Sequence, residues 1–124
     1  MRVAYFSPLP PQRSGIADYS LELIPHLVHL ADMTLFVSDP GQLDSRILER
    51  YKVRSHKQFS LQKEDFDLAL YHIGNSEYHD EISRLAIEVP GVIVLHDFFL
   101  HHSVAQRTIG QDNRFAYIRE MGYE

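Results

Sequence analysis

The stretch "VIVLHDFFLHH", residues 92–102, places three histidines and a carboxylate directly after an apolar run. His96 and Asp97 are adjacent, and His101 and His102 follow within two helical turns. Imidazole changes its charge near neutral pH and is the commonest metal ligand in proteins. These residues could therefore form a metal site, a catalytic apparatus, the rim of a ligand pocket or the polar end of a buried strand.

The spacing of these residues separates the four possibilities. Strand alternation sends His96 and Asp97 to opposite sides, so we do not expect them to act as one catalytic pair. We expect His96 to face a ligand cleft and Asp97 to cap the helix that follows. Asp97 and His101 are four residues apart and can meet on a helix, with His72 as a third metal ligand. A structural polar cluster is the commoner outcome, so no metal is expected.

Composition limits the class of protein. The 124 residues suit one domain, and 44% hydrophobic with 23% charged residues is an ordinary globular balance. A net charge of -5, with no cluster of lysine and arginine, argues against nucleic-acid binding. The absence of cysteine excludes disulfides and zinc–thiolate sites. No signal peptide or membrane-spanning window is evident, so a cytoplasmic protein is the default expectation.

Short apolar runs alternate with segments of helical periodicity along the chain. The runs predict strands within residues 2–6, 33–41, 51–55, 67–76 and 92–97. Helical spacing predicts helices over residues 15–31, around 43–50, after 76 until Pro90–Gly91, and over 98–109 and 113–121. Ser14 is the predicted N-cap of the first helix, and Pro25 should kink that helix.

Alternating strands and helices predict an α/β, Rossmann-like, doubly wound parallel sheet with helices on both faces. We expect the strand order 3-2-1-4-5, with the strongly apolar first, fourth and fifth strands at the centre. Ligands of such sheets bind beyond the carboxyl ends of the strands, where the order reverses. This rule selects three loops, at residues 7–15, 74–76 and 96–99.

Each of these loops carries candidate binding residues. Arg13 could hold a phosphate or carboxylate by a bidentate contact, or could be a solvated loop charge. Gly15 would let a ligand approach the helix N-terminus, or would permit tight helix–strand packing. Gly74 would allow close approach of a ligand, and Asn75 could bind a hydroxyl-rich partner or act as an N-cap. The chain lacks G-x-G-x-x-G and P-loop motifs, so Asp39 is interpreted as a turn residue.

Three segments together carry a resemblance to a known family. "MRVAYFSPLPPQRSGIADYSLELIPHL", "LYHIGNSEYH" and "GVIVLHDFFLHH" resemble the N-terminal half of bacterial family 4 (group 1) glycosyltransferases of the GT-B fold. The resemblance covers roughly residues 1–102. It implies two Rossmann-like domains facing across a cleft, the first mainly for the acceptor and the second for the nucleotide-sugar donor. It also implies transfer with retention of configuration and without a metal or other cofactor.

The resemblance assigns roles to individual positions. Gly15 matches the loop glycine near the donor phosphate and sugar, and His96 matches the strand-end histidine near the transferred sugar. Arg13, Ser14, Gly74 and Asn75 match positions facing the same cleft, and together with Gly15 and Asp97 they are the expected substrate- and donor-binding residues. The chain has one loop glycine where many relatives have two. Residues 1–124 are accordingly interpreted as a single acceptor-side domain whose donor-binding domain is missing, and we expect it to be inactive alone.

Other interpretations stay open on the sequence. One is a stand-alone flavodoxin-like module that binds a small anion or nucleotide. A second is a metal-dependent hydrolase that uses His72, His96, Asp97 and His101. A third is an oligomerisation domain in which residues 98–100 cover an exposed face, so that the chain self-associates. The expected partners under the glycosyltransferase hypothesis are a nucleotide sugar, a sugar or lipid-linked acceptor and the chain's own C-terminal domain, with peripheral membrane association compatible but not required.

Overall fold

The computed structural model describes residues 1–96, in which strands and helices alternate along the chain. The strands are β1 (Arg2–Phe6), β2 (Asp32–Val37), β3 (Lys52–Ser55), β4 (Leu68–Ile73) and β5 (Val92–Leu95). The helices are α1 (Gly15–Leu27), α2 (Ser45–Arg50), α3 (His56–Gln62) and α4 (Asp80–Glu88), with short 3-10 turns at Pro40–Gln42, Lys63–Asp65 and Glu77–His79. The helices predicted over 98–109 and 113–121 lie outside the described residues.

The five strands form one parallel sheet in the order β3-β2-β1-β4-β5. This confirms the predicted α/β architecture and strand order. The expectation that β5 is central was wrong, because β5 is the outer strand of the described sheet. Val92, Ile93 and Leu95 are each about half exposed. An apolar run shows that a strand lacks polar side chains, but it does not show how many neighbours cover the strand.

Two apolar cores lie on the opposite faces of the sheet, as strand alternation requires. Val3 and Tyr5 of β1 pack with Ile24 of α1 and Ile47 of α2 on one face. The other face carries an aromatic cluster. Strand residues contribute Phe6, Phe36 and Tyr71 to it, and Phe59 of α3 adds a further ring. Ile82 and Leu85 of α4 pack against these rings. The sheet is thus covered on both faces, and the two cores together fix the positions of the strands whose carboxyl ends form one edge.

Helix α1 begins as predicted. The Ser14 side chain accepts a hydrogen bond from the backbone N–H of Ala17 at 3.0 Å, which confirms Ser14 as the N-cap. Pro25 lies in the last turn, and the helix ends at Leu27, earlier than expected. The donor that Pro25 lacks is therefore missing close to the end of α1.

Helix α3 was not predicted. Its short sequence buries His56 and Phe59, so it shows little helical periodicity. A local signal was present, since Ser55 and Gln58 have the spacing of a capping box. The backbone N–H of Ser55 donates to Oε1 of Gln58 at 2.8 Å.

Candidate functional site

Residues of the first two predicted loops and His96, the described residue of the third, meet at the carboxyl edge of the sheet, where the strand order reverses between β1 and β4. They surround an open cavity of about 550 Å³. Among the described residues, its walls are Arg13, Ser14, Gly15, Ile16, Tyr19, Asn75, Ser76 and His96. The cavity has the size of a small-molecule site and mixes polar and apolar walls.

The structure brings together five of the seven predicted site residues: Arg13, Ser14, Gly15, Asn75 and His96. Gly74 is buried just after β4 and is not among the lining residues. Asp97 lies outside the described residues, so its predicted capping role stays a prediction. Tyr19 was missed, although its position four residues after Gly15 places it on the same helix face.

The first turn of α1 forms one wall of the cavity. A Cβ atom built on Gly15 meets no heavy atom of the described residues within 4 Å. Tight helix–strand packing therefore does not explain this glycine. The missing side chain leaves space beside the helix N-terminus, where unpaired backbone N–H groups favour an anion.

The loop after β4 forms another part of the wall. Ser76 precedes the Glu77–His79 turn, but its side chain makes no capping hydrogen bond. The backbone N–H of His79 instead donates to the carbonyl oxygen of Ser76 at 3.1 Å. Side-chain capping by Ser76 is thus not what orders this loop.

His96 directly follows β5. Its backbone N–H donates to the carbonyl oxygen of Ile73 at 2.9 Å, so the hydrogen bonding between β4 and β5 extends to this residue. Its ring Nε2 lies 2.7 Å from Nδ1 of His72, at the end of the neighbouring strand. The ring of Tyr19 packs edge-on against His96, with centroids 4.9 Å apart. The His96 ring is therefore held between a buried imidazole and a helix side chain.

His72 is fully buried on the α1 side of the sheet. Its ring packs against Tyr5, with centroids 4.7 Å apart. Burial, with a further contribution from the neighbouring His96 and His79, lowers the pKa of His72 to about 4. The imidazole of His72 is therefore neutral at physiological pH.

A chain of hydroxyl groups lies beneath the same edge of the sheet. The Tyr5 hydroxyl donates to Oγ of Ser20 at 2.8 Å, and Ser7 Oγ donates to the carbonyl oxygen of Pro8 at 2.9 Å. Ser7 and Ser20 are joined at 2.6 Å, and Ser20 is the donor because the proton of Ser7 is already used. Burial raises the pKa of Tyr5 to about 12, so this chain is uncharged and connects the end of β1 to α1.

A second polar cavity of about 330 Å³ opens farther along the same edge. Its lining includes the buried His56, whose Nδ1 lies 3.1 Å from the carboxylate of Glu81 on α4. This contact joins α3 to α4 at an ion-pair distance and does not have the geometry of a hydrogen bond. Sequence reasoning missed His56 because it missed α3.

Within residues 1–96, no group of three or more histidine, cysteine, aspartate or glutamate side chains could hold a metal ion. The rings of His72 and His96 bind each other rather than converging on a common point. Asp97 and His101, the other proposed ligands, lie outside the described residues. Asp39 is a turn residue as predicted, because its side chain accepts from the N–H of Gly41 at 2.9 Å.

Comparisons of the chain with protein-family models, with curated proteins and with solved structures gave no match. Among the helices described up to His96, none is long and apolar enough to cross a membrane.

Proposed function

We propose that this chain forms the acceptor-side domain of a glycosyltransferase that moves a sugar from a nucleotide-sugar donor to an acceptor, with retention of configuration. The observation that carries the proposal is the meeting of Arg13, Gly15 and His96 around one cavity at the point where the strand order reverses. These residues come from two loops that are about eighty positions apart in the sequence.

The cavity offers the chemistry that such a transfer needs. A departing nucleoside diphosphate develops negative charge on its oxygens, which cations and helix N-termini stabilise. Arg13 supplies a cation, and the first turn of α1 supplies backbone N–H groups beside the open space at Gly15. Asn75 and His96 supply polar groups for sugar hydroxyls on the opposite wall.

The cavity also explains why a second domain belongs in the proposal. Group transfer between two bound molecules gains its rate mainly from positioning. The described walls contain one arginine and no other cation, which is few for a diphosphate. We therefore assign the remaining diphosphate contacts to a C-terminal domain of the same protein, and no metal or other cofactor is required for the transfer.

The test uses the full-length protein, including any residues that follow Glu124. It is incubated with a panel of radiolabelled nucleotide sugars and mixed acceptors. We expect transfer from at least one donor. The variant His96→Ala should lower turnover by about a hundredfold, equivalent to ~2.7 kcal/mol. Lys57→Gln removes an exposed charge outside the cavity and should keep wild-type turnover. Absence of both transfer and donor hydrolysis over the whole panel would refute the proposal, and wild-type turnover in His96→Ala would remove the role of His96.

A small-ligand binding module is the second candidate, favoured by one observation. The cavity is already of ligand size in this chain by itself. Titration of residues 1–124 with nucleotides and phosphosugars distinguishes the two functions. Micromolar binding supports the module. Binding weaker than millimolar, with no sugar transfer by this chain alone, supports a domain that needs a partner domain.

A further inference from the structure

We propose that His72 is a positioning residue that holds His96 in the neutral tautomer with its proton on Nδ1. The tautomer follows from hydrogen-bond geometry alone. Only its role in sugar transfer depends on the function proposed above.

The contact between the two rings is a single hydrogen bond. Nδ1 of His72 and Nε2 of His96 are 2.7 Å apart, which is a short hydrogen-bonding distance. A neutral imidazole has one N–H donor and one bare acceptor nitrogen. One of these two nitrogens therefore carries the proton and the other accepts it.

The second nitrogen of His72 decides the direction. Nε2 of His72 is buried and has no hydrogen-bond partner among the described residues. A proton on Nε2 would be an unpaired buried donor, which native structures avoid more strongly than an unpaired acceptor. A proton on Nδ1 is used at once in the contact with His96. His72 therefore donates from Nδ1, His96 accepts at Nε2, and the proton of neutral His96 is on Nδ1.

His72 is itself held in place, so it can hold a neighbour. Nδ1 of His79 lies 2.9 Å from the carbonyl oxygen of His72 and must be the donor there, since a carbonyl only accepts. The Tyr5 ring covers the His72 ring, and β4 is paired with both β1 and β5. The donor that meets His96 thus comes from a buried ring on a strand that is paired on both sides.

Protonation of His96 would break its hydrogen bond with His72. Protonated His96 would carry a proton on Nε2 that faces the proton on Nδ1 of His72. His72 could relieve this only by moving its own proton to the buried Nε2, where no described partner meets it. Among residues 1–96, the titratable side chains near the pair are Tyr5, Tyr19 and His79, with Arg13 on the same cavity. Within the proposed transfer reaction, His72 therefore fixes which ring nitrogen of neutral His96 carries the proton.

The test is a long-range ¹H–¹⁵N correlation spectrum of the histidine rings in ¹⁵N-labelled residues 1–124 at pH 7.5. Neutral histidine in water favours the proton on Nε2, so protons on Nδ1 of both His72 and His96 would be a distinctive pattern. In His72→Leu we expect His96 to shift toward the Nε2–H form. In His72→Asn the side-chain amide can replace the lost donor, and the Nδ1–H form should return.

A wild-type spectrum with His96 protonated on Nε2 overturns the proposal, and this measurement needs no variant to fold. An unchanged His96 tautomer in a folded His72→Leu variant overturns the positioning role. Neither spectrum involves a sugar donor, so either result is independent of whether the chain belongs to a glycosyltransferase.

Discussion

Nδ1 of His72 and Nε2 of His96 lie 2.7 Å apart although the residues are 24 positions apart in the sequence. One ring is fully buried in the sheet and the other lines the cavity at its edge. The contact therefore connects the interior of the domain to the candidate site. Parallel pairing of β4 with β5 brings the two strand ends together, because His72 pairs with Val94 and Ile73 with Leu95.

The buried His72 should make the stability of the domain depend on pH. Its pKa is about 4 in the folded chain, against an ordinary value of 6.5. The unfolded chain therefore takes up a proton at this residue as the pH falls below about 6.5, while the folded chain does not. This contribution destabilises the fold progressively from pH 6.5 down to about 4, by roughly 2 kcal/mol between pH 7 and 5.

Urea unfolding at both pH values measures this loss. His72→Leu should be less sensitive to pH than wild type, whereas His29→Gln, at an exposed position, should keep the wild-type slope. Equal slopes in wild type and His72→Leu would contradict the assigned pKa shift.

Two glycines should respond oppositely to alanine. A Cβ on Gly91 would lie 2.3 Å from the backbone oxygen of Ala69, so Gly91→Ala must displace backbone and should cost about 1–3 kcal/mol. Gly15→Ala meets open space and should leave stability unchanged or raise it by up to about 1 kcal/mol. Thermal unfolding of both variants checks this, and a stable Gly91→Ala would mean that β4 and β5 lie farther apart than described.

A larger side chain at Gly15 should separate function from folding. Gly15→Leu projects into the cavity without a described neighbour to clash with, so the fold should persist. In the transfer assay we expect at least about tenfold lower turnover, or ~1.4 kcal/mol, because the side chain occupies space next to the helix N-terminus. Wild-type turnover in a folded Gly15→Leu variant would show that no substrate approaches this position.

Ser14 has a structural role that can be separated from a binding role. Ser14→Ala removes the N-cap bond to Ala17 and should destabilise the chain by about 1 kcal/mol. Ser14→Asp keeps a capping oxygen and should retain most of the stability. It also adds a negative charge to the cavity wall, so it should weaken the binding of an anionic donor. If Ser14→Asp bound the donor as well as wild type, the anion would not lie at this helix terminus.

The features that were predicted correctly depend on local signals. Ser14 as an N-cap and Asp39 as a turn residue each follow from a side chain that bonds backbone a few residues away. The strand order follows from the alternation of strands and helices and from the limited set of parallel topologies. The juxtaposition of Arg13, Gly15 and His96 then follows, since parallel strands all end at one edge.

The features that were missed depend on contacts between segments that are far apart in the sequence. Helix α3 buries too few side chains to produce a helical pattern, and the cover over β5 is not encoded in its own apolar residues. The interaction of His72 with His96 needs the register of β4 against β5, which is invisible in either segment alone.

The amino-acid sequence by itself determined the class of fold, the order of the strands and the loops that form the candidate site, because periodicity, caps and turns act over a few residues. Only the tertiary structure decided which two imidazoles form a hydrogen bond, how deeply His72 is buried and how much space lies beside Gly15. These properties depend on distances between segments far apart in the chain, and burial and hydrogen-bond geometry are set by those distances.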